Sequence, residues 1–139
     1  MGLILDSTVF IQAERQGENA RQILTKVSQL IPDQEIGMSF ISLMELAHGI
    51  HRADTPERKQ RRGAFVVELS RALPVYPITK SIAFRAAFID AEATKQGKTI
   101  AVKDLLIGAT ALDLDYWVAT ENVRDFTKTP NLRVVLLHG

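Results

Sequence analysis

The chain contains no cysteine. A disulfide framework, a thiol nucleophile and a thiolate metal site are therefore excluded, which suits a reducing cytosol. Net charge is nearly absent, since 17 Lys and Arg stand against 16 Asp and Glu to leave a formal +1. No global basic field draws the protein to nucleic acid or to a membrane, so any contact with RNA or DNA rests on local patches. No apolar run approaches the ~20 residues of a transmembrane helix. The amino terminus has no basic flank of the signal-peptide kind, and Asp6 interrupts its apolar run. Myristoylation at Gly2 would want Ser or Thr where Asp6 stands. There is no internal repeat, no low-complexity tract and no linker long enough to split the chain.

What remains is an ordinary globular composition, 46% apolar and 24% charged over 139 residues, enough for one domain spanning 1–139. Leu3-Ile4-Leu5 reads as a short strand covered on both faces, as in a parallel sheet. Thr8 to Arg15 is expected to be a helix ended near Gly17, and Asn19 to cap a second helix through Leu30. Glu35 to Ser39 is a weak strand. A helix is expected to open at Ser42 and run to about His51. Thr55-Pro56 pairs an N-cap with Pro at the first helical position of a helix to about Ala72. Pro74 to Pro77 is extended, Thr79 caps a helix to Gln96, and Asp104 opens one to about Leu114. Tyr116 to Ala119 and Arg133 to Leu137 complete the strands. Strands alternating with helices predict an α/β fold with a mainly parallel sheet.

In such sheets, ligands bind beyond the carboxyl ends of the strands. Asp6 follows the first strand. Thr120, Asn122 and Asp125 follow a later one. Glu45 and Asp104 lie at expected helix starts. Each acid has a plainer explanation: an Asx turn or cap for Asp6, a Ser42-x-x-Glu45 capping box, a favourable helix end for Asp104 and a surface turn for Asp125. If the acids do converge, they cannot all stay ionised at close range without a cation. Oxygen-only donors select a hard ion, Mg²⁺ or Mn²⁺, of the kind that activates water against a phosphodiester.

Four stretches in order resemble the PIN-domain ribonucleases that act as VapC toxins of VapBC toxin–antitoxin pairs. They are Leu3-Ile4-Leu5-Asp6-Ser7-Thr8-Val9, Ile41 through Gly49 around Glu45, Val102 through Ala111 around Asp104, and Val118 through Phe126. The resemblance spans nearly the whole chain. It implies a three-layer α/β/α sandwich with a central, mainly parallel sheet. Asp6, Glu45 and Asp104 would be the acidic metal-site residues. Asn122 or Asp125 would fill the fourth position, with Ser7, Thr8 and Thr120 supporting them. Thr8 replaces the commoner Asn and Ser7 the commoner Thr, but a hydroxyl still hydrogen-bonds a carboxylate. The implied function is a Mg²⁺- or Mn²⁺-dependent endoribonuclease, cytoplasmic and usually homodimeric. It would cut a tRNA or rRNA and be held by a VapB-type antitoxin whose tail fills the acidic groove. The alternative is a PIN module that binds RNA or a protein with weak or no cleavage.

Competing enzyme classes fit less well. A haloacid-dehalogenase phosphatase needs a second Asp where Thr8 stands, and a phosphoacceptor receiver needs an acid adjacent to Asp6. His48 and His51 do not form a His-Glu-x-x-His zinc motif, and Glu45-x-x-His48 occurs once rather than in the two copies of a di-iron site. His138 sits at the tail. Arg52, Arg58, Lys59, Arg61 and Arg62 form the densest basic run, read first as a solvated helix face. Lys98 and Lys103 are the better candidates for phosphate contact. Trp117 reads as a core or interface residue, and the stripe Ile82, Ala86, Ile89 and Ala93 as core.

Overall fold

The computed structural model describes residues 1–137; His138 lies outside the described residues. Its centre is strand β1, Gly2–Leu5, every residue of which is buried. An uninterrupted apolar strand is stable only where both faces are covered. Leu3 and Leu5 enter one core cluster while Ile4 enters another, as the two-residue period of a strand requires. The other strands are β2 (Glu35–Ser39), β3 (Val75–Tyr76), β4 (Trp117–Thr120) and β5 (Val134–Leu136). They form one five-stranded sheet in the order β3-β2-β1-β4-β5, and every pairing is parallel.

Among the described residues, six α-helices flank the sheet: α1 (Ser7–Arg15), α2 (Ala20–Leu30), α3 (Phe40–His51), α4 (Pro56–Ala72), α5 (Lys80–Lys95) and α6 (Val102–Leu114). Helices α1 to α4 bury Phe10, Ala13, Ile23, Val27, Leu46 and Leu69 with Leu3 and Leu5. On the other face, Ile107 and Ala111 of α6 pack with Ile4, Val118 and Phe126. Helix α5 lies on α6, its stripe of Ile82, Ala86, Ile89 and Ala93 buried against Leu105 and Ala109. The expected three-layer α/β/α sandwich is therefore formed, and that stripe is core. Trp117 is half-buried against the first cluster, with the Arg133 guanidinium 5.5 Å from its ring centroid.

Local signals explain most helix starts. Asn19 and Gln22 form a reciprocal capping box. Thr55 and Thr79 each accept a backbone N–H of the third helical residue, and Pro56 follows Thr55. Helix α1 begins at Ser7, one residue before the expected Thr8, and two starts differ by two residues. Helix α3 begins at Phe40, not Ser42, because Ser39 is both the end of β2 and the N-cap, accepting the amide of Ile41. Helix α6 begins at Val102, two residues before Asp104, with Ala101 at the cap and no side chain capping it.

The chain moves outward from β1 to β2 and β3, then returns across β1 to β4 and β5. The direction of winding thus reverses between β1 and β4. Crevices form at such a reversal, beyond the carboxyl ends of the strands.

Candidate active site

Asp6 is the first residue past β1, and its amide continues the ladder by donating to the carbonyl of Ala119 on β4 at 2.9 Å. It occupies the N-cap position of α1 but caps nothing with its side chain. Instead, its fully buried carboxylate collects hydroxyls. Thr8 donates to Oδ2 at 2.8 Å and Thr120, the last residue of β4, donates to the same oxygen at 3.0 Å. Both threonines also accept a backbone amide, from Glu121 and Asn122 respectively. Each hydroxyl thus has its proton on Asp6 and its lone pair on the chain after β4. This locks the carboxylate to the β1/β4 switch point. Thr8, the departure from the commoner Asn, is a full member of that arrangement.

Glu45 lies in the second turn of α3, so the capping-box explanation for it fails: Ser42 is inside the helix and its buried Oγ has no hydrogen-bond partner. The Glu45 carboxylate instead accepts a short hydrogen bond from Ser7 and pairs with the Lys103 ammonium at 3.2 Å. Ser7 is fully buried and also lies 3.5 Å from Asp6 Oδ1, a longer contact. Its single proton goes to Glu45.

Asp104 sits in the first turn of α6 and is 8% exposed. Its Oδ1 is buried without a hydrogen-bond partner; the nearest cation is Lys103 Nζ at 4.0 Å. Burial pushes the Asp104 carboxyl up from 3.8 to about 6; Lys103 opposes the shift, and the charges of Asp125, Asp6 and Glu45 add to it. Asp6, Glu45 and Asp125, from three other stretches of the chain, thus lie within electrostatic reach of Asp104. Asp125 belongs to a short 3₁₀ turn, Val123–Phe126. Asn122 precedes that turn and bonds through its backbone, the amide to Thr120 and the carbonyl to Asp125.

Lys103 reaches the site from α6. Burial works against its charge, but Asp6, Glu45 and Asp104 outweigh that cost and raise its pKa above 10.5. Its ammonium lies against carboxylates and acts there as their counter-charge. The signal was visible as a Lys next to Asp104, but its pairing with Glu45 required the packing of α3 on α6.

Among the described residues, no group of three or more acid or histidine side chains is arranged to hold a metal ion directly. That does not disqualify a hydrated Mg²⁺, which keeps several waters and takes only one or two carboxylates. The donors are all oxygen, one of them is buried and unpartnered, and the local excess of negative charge calls for a cation. The residues fit a hard divalent ion.

The PIN-domain family model matches residues 3–132. Ribonuclease VapC of Rickettsia bellii is 30% identical over 135 residues, covering 97% of this chain and 96% of that protein. Ribonuclease VapC1 of Rickettsia felis is 29% identical over 138 residues, with 97% and 96% coverage. The VapBC-1 structure from nontypeable Haemophilus influenzae superposes with a TM-score of 0.79 at 27% identity, over 98% of both chains. Fold, strand-end acids and these likenesses agree: the chain belongs to the PIN-domain family.

Proposed function

We propose that this chain, acting as a single PIN domain over residues 1–139, is a divalent-metal-dependent endoribonuclease. We place it as the toxin of a type II toxin–antitoxin pair. The observation that carries the reading is the buried Oδ1 of Asp104, which accepts no hydrogen bond and feels the charges of Asp6, Glu45 and Asp125 at the switch point of the sheet. Mg²⁺ or Mn²⁺ would be held by Asp6 and Asp104 with Glu45 and Asp125 around them; Asp125 is favoured over Asn122 for the fourth place. When bound, such an ion activates water and offsets the charge that develops on a phosphodiester.

The protein's own part is orientation and charge. Thr8 and Thr120 fix both the position and the direction of the Asp6 carboxylate. Ser7 holds Glu45 toward the same rim. Lys103 offsets part of the acids' repulsion and so lowers the cost of assembling them. No histidine base and no covalent nucleophile are required. The described residues contain no helix long and apolar enough to cross a membrane, and the reading places the protein in the cytoplasm. The VapBC-1 likeness supports a small VapB-type antitoxin as partner, and the chain is expected to form a homodimer. The substrate class is RNA, with tRNA or rRNA loops as the first candidates.

The test is cleavage of bulk tRNA and rRNA by the wild type with Mg²⁺, Mn²⁺ or chelator, beside Asp6→Asn and Asp104→Asn. Cleavage that needs the ion and disappears in both variants supports the reading. Metal-independent cleavage, or full activity in both variants, removes it.

A further inference from the structure

Glu45 separates two clefts of opposite character. On one side, a cleft of about 500 Å³ is lined by Ile41, Met44, Ala47, His48 and His51, with Lys103 at its edge. On the other, a cleft of about 300 Å³ runs between α1, α3 and α4 and is lined by Arg15, Arg52 and Arg62 together with Glu14. It shares a wall of Glu14, Arg15 and Arg62 with a larger groove of about 680 Å³, which adds Arg58 and Arg61. Arginines of α1 and α4, with Arg52 just past the end of α3, thus line one path that begins at the acid rim.

Two of these arginines are part of the wall itself. Arg62 pairs with Glu14 at 3.4 Å and donates to the carbonyl of Gly49 at 2.8 Å, which ties α4 to α1 and α3. Arg58 pairs with Asp54. The other three differ. Arg15, Arg52 and Arg61 are exposed, and among the described residues none has a carboxylate within ion-pair distance. A solvated helix face would explain cations spread around α4. It does not explain why Arg15 at the end of α1, Arg52 just past the end of α3 and Arg61 on α4 share one channel.

We propose that this channel is a phosphate track: Arg15, Arg52 and Arg61 hold the RNA backbone on one side of the cut while the acids act on the scissile bond. This deepens, and rests on, the ribonuclease reading. The reason is electrostatic. Four acids repel a polyanion, so a strand stays at the site only if adjacent cations hold its flanking phosphates. Arginine is the suited residue, because it never loses its charge and its planar fork meets phosphate oxygens two at a time. The track leaves the opposite, apolar and histidine-lined side of Glu45 without comparable charge. Binding is therefore polar along the strand.

The test uses the full chain, a short fluorescein-labelled polyuridylate in chelator for binding, and bulk tRNA with Mn²⁺ for cleavage. Arg15→Gln, Arg52→Gln and Arg61→Gln are compared with Lys59→Gln, a cation of the same basic run outside the channel. The combined arginine variant is expected to weaken binding roughly tenfold or more, and the slope of log affinity on log salt to fall by about 0.7 for each phosphate no longer neutralised. KM rises while kcat holds, and Lys59→Gln changes neither. Unchanged slope and KM in a wild-type-like fold, verified by thermal unfolding, overturn the track. So does an equal effect from Lys59→Gln, which would mark bulk charge alone. Loss of binding to a polyglutamate peptide with RNA binding intact also overturns it, in favour of an acidic protein partner. Wild type that cleaves with metal while the arginine variants behave normally sinks only this inference; absence of metal-dependent cleavage in wild type sinks the reading beneath it.

Discussion

The two ends of the same sheet handle carboxylates in opposite ways. At the amino end, Glu35 opens β2 and accepts the Tyr116 hydroxyl at 2.5 Å. Tyr116 meets Tyr76 edge to face, with ring centroids 6.0 Å apart. The rings lie so close to the strands that a Cβ on Gly2 or on Gly37 would sit 2.5 Å from a tyrosine carbon. The carboxylate there is exposed and partnered. At the carboxyl end, Asp6 and Asp104 are buried, Glu45 and Asp125 are close enough to be felt, and one oxygen has no donor at all. One end is settled chemistry, in which a neutral phenol satisfies an acid. The other concentrates like charge in a low-dielectric place and stays short of cations, a cost to folding that the proposed cation would offset.

Several substitutions would break or sharpen that contrast. The largest effect is expected from Asp104→Asn, which should cut metal-dependent RNA cleavage by more than the ~100-fold typical of a supporting residue. Residual activity near wild type would show that the acid rim is not the site. Next, Thr120→Val keeps the strand shape but takes a donor from Asp6 and an acceptor from Asn122. A loss of ~10–100-fold in Mn²⁺ affinity or activity is expected, read by Mn²⁺ titration of both.

A pH measurement follows. The fold raises the Asp104 carboxyl from 3.8 to about 6, so it favours the protonated form. Its contribution to stability is therefore full below about pH 4 and is lost as pH rises through about 6. Metal-free Asp104→Asn should gain on wild type across that window, by at most about 3 kcal/mol at neutral pH given ~1.4 kcal/mol per unit. Denaturant unfolding of both proteins at acid and neutral pH measures it, and saturating Mg²⁺ should shrink the gap by stabilising wild type. At the amino end, Tyr116→Phe should cost about 1–2 kcal/mol of stability by removing a hydrogen bond to a charged acceptor, while leaving cleavage unchanged. A drop in cleavage there would mean that the two ends are coupled.

Much of the architecture was readable because its signals are local. The Asn19–Gln22 box, the Thr55-Pro56 pair and the Thr79 cap each sit within one helical turn of the helix they start. The unbroken Leu3-Ile4-Leu5 run announced a strand with two covered faces. A cap is hidden where it is also the last residue of a strand. β2 passes straight into α3 at Ser39, so Ser42 looked like the cap and Glu45 like its partner. Arg15 went unnoticed because a lone basic residue ending a helix resembles ordinary dipole compensation.

Composition and pattern alone determined the α/β class, the parallel sheet, the exclusion of thiol chemistry, the place of Asp6 at a strand end and that of Asp104 in a first helical turn. Periodicity and caps act over a few residues, and the sequence displays them directly. Tertiary structure alone decided what those acids meet. Asp6 and Thr120 are 114 positions apart, and Ser7 and Glu45 are 38 apart; crossovers bring them to one rim. The same packing set Lys103 between Glu45 and Asp104 and left an Asp104 oxygen unpartnered. Hydrogen bonding and Coulomb forces depend on distance in space, which a linear pattern does not carry.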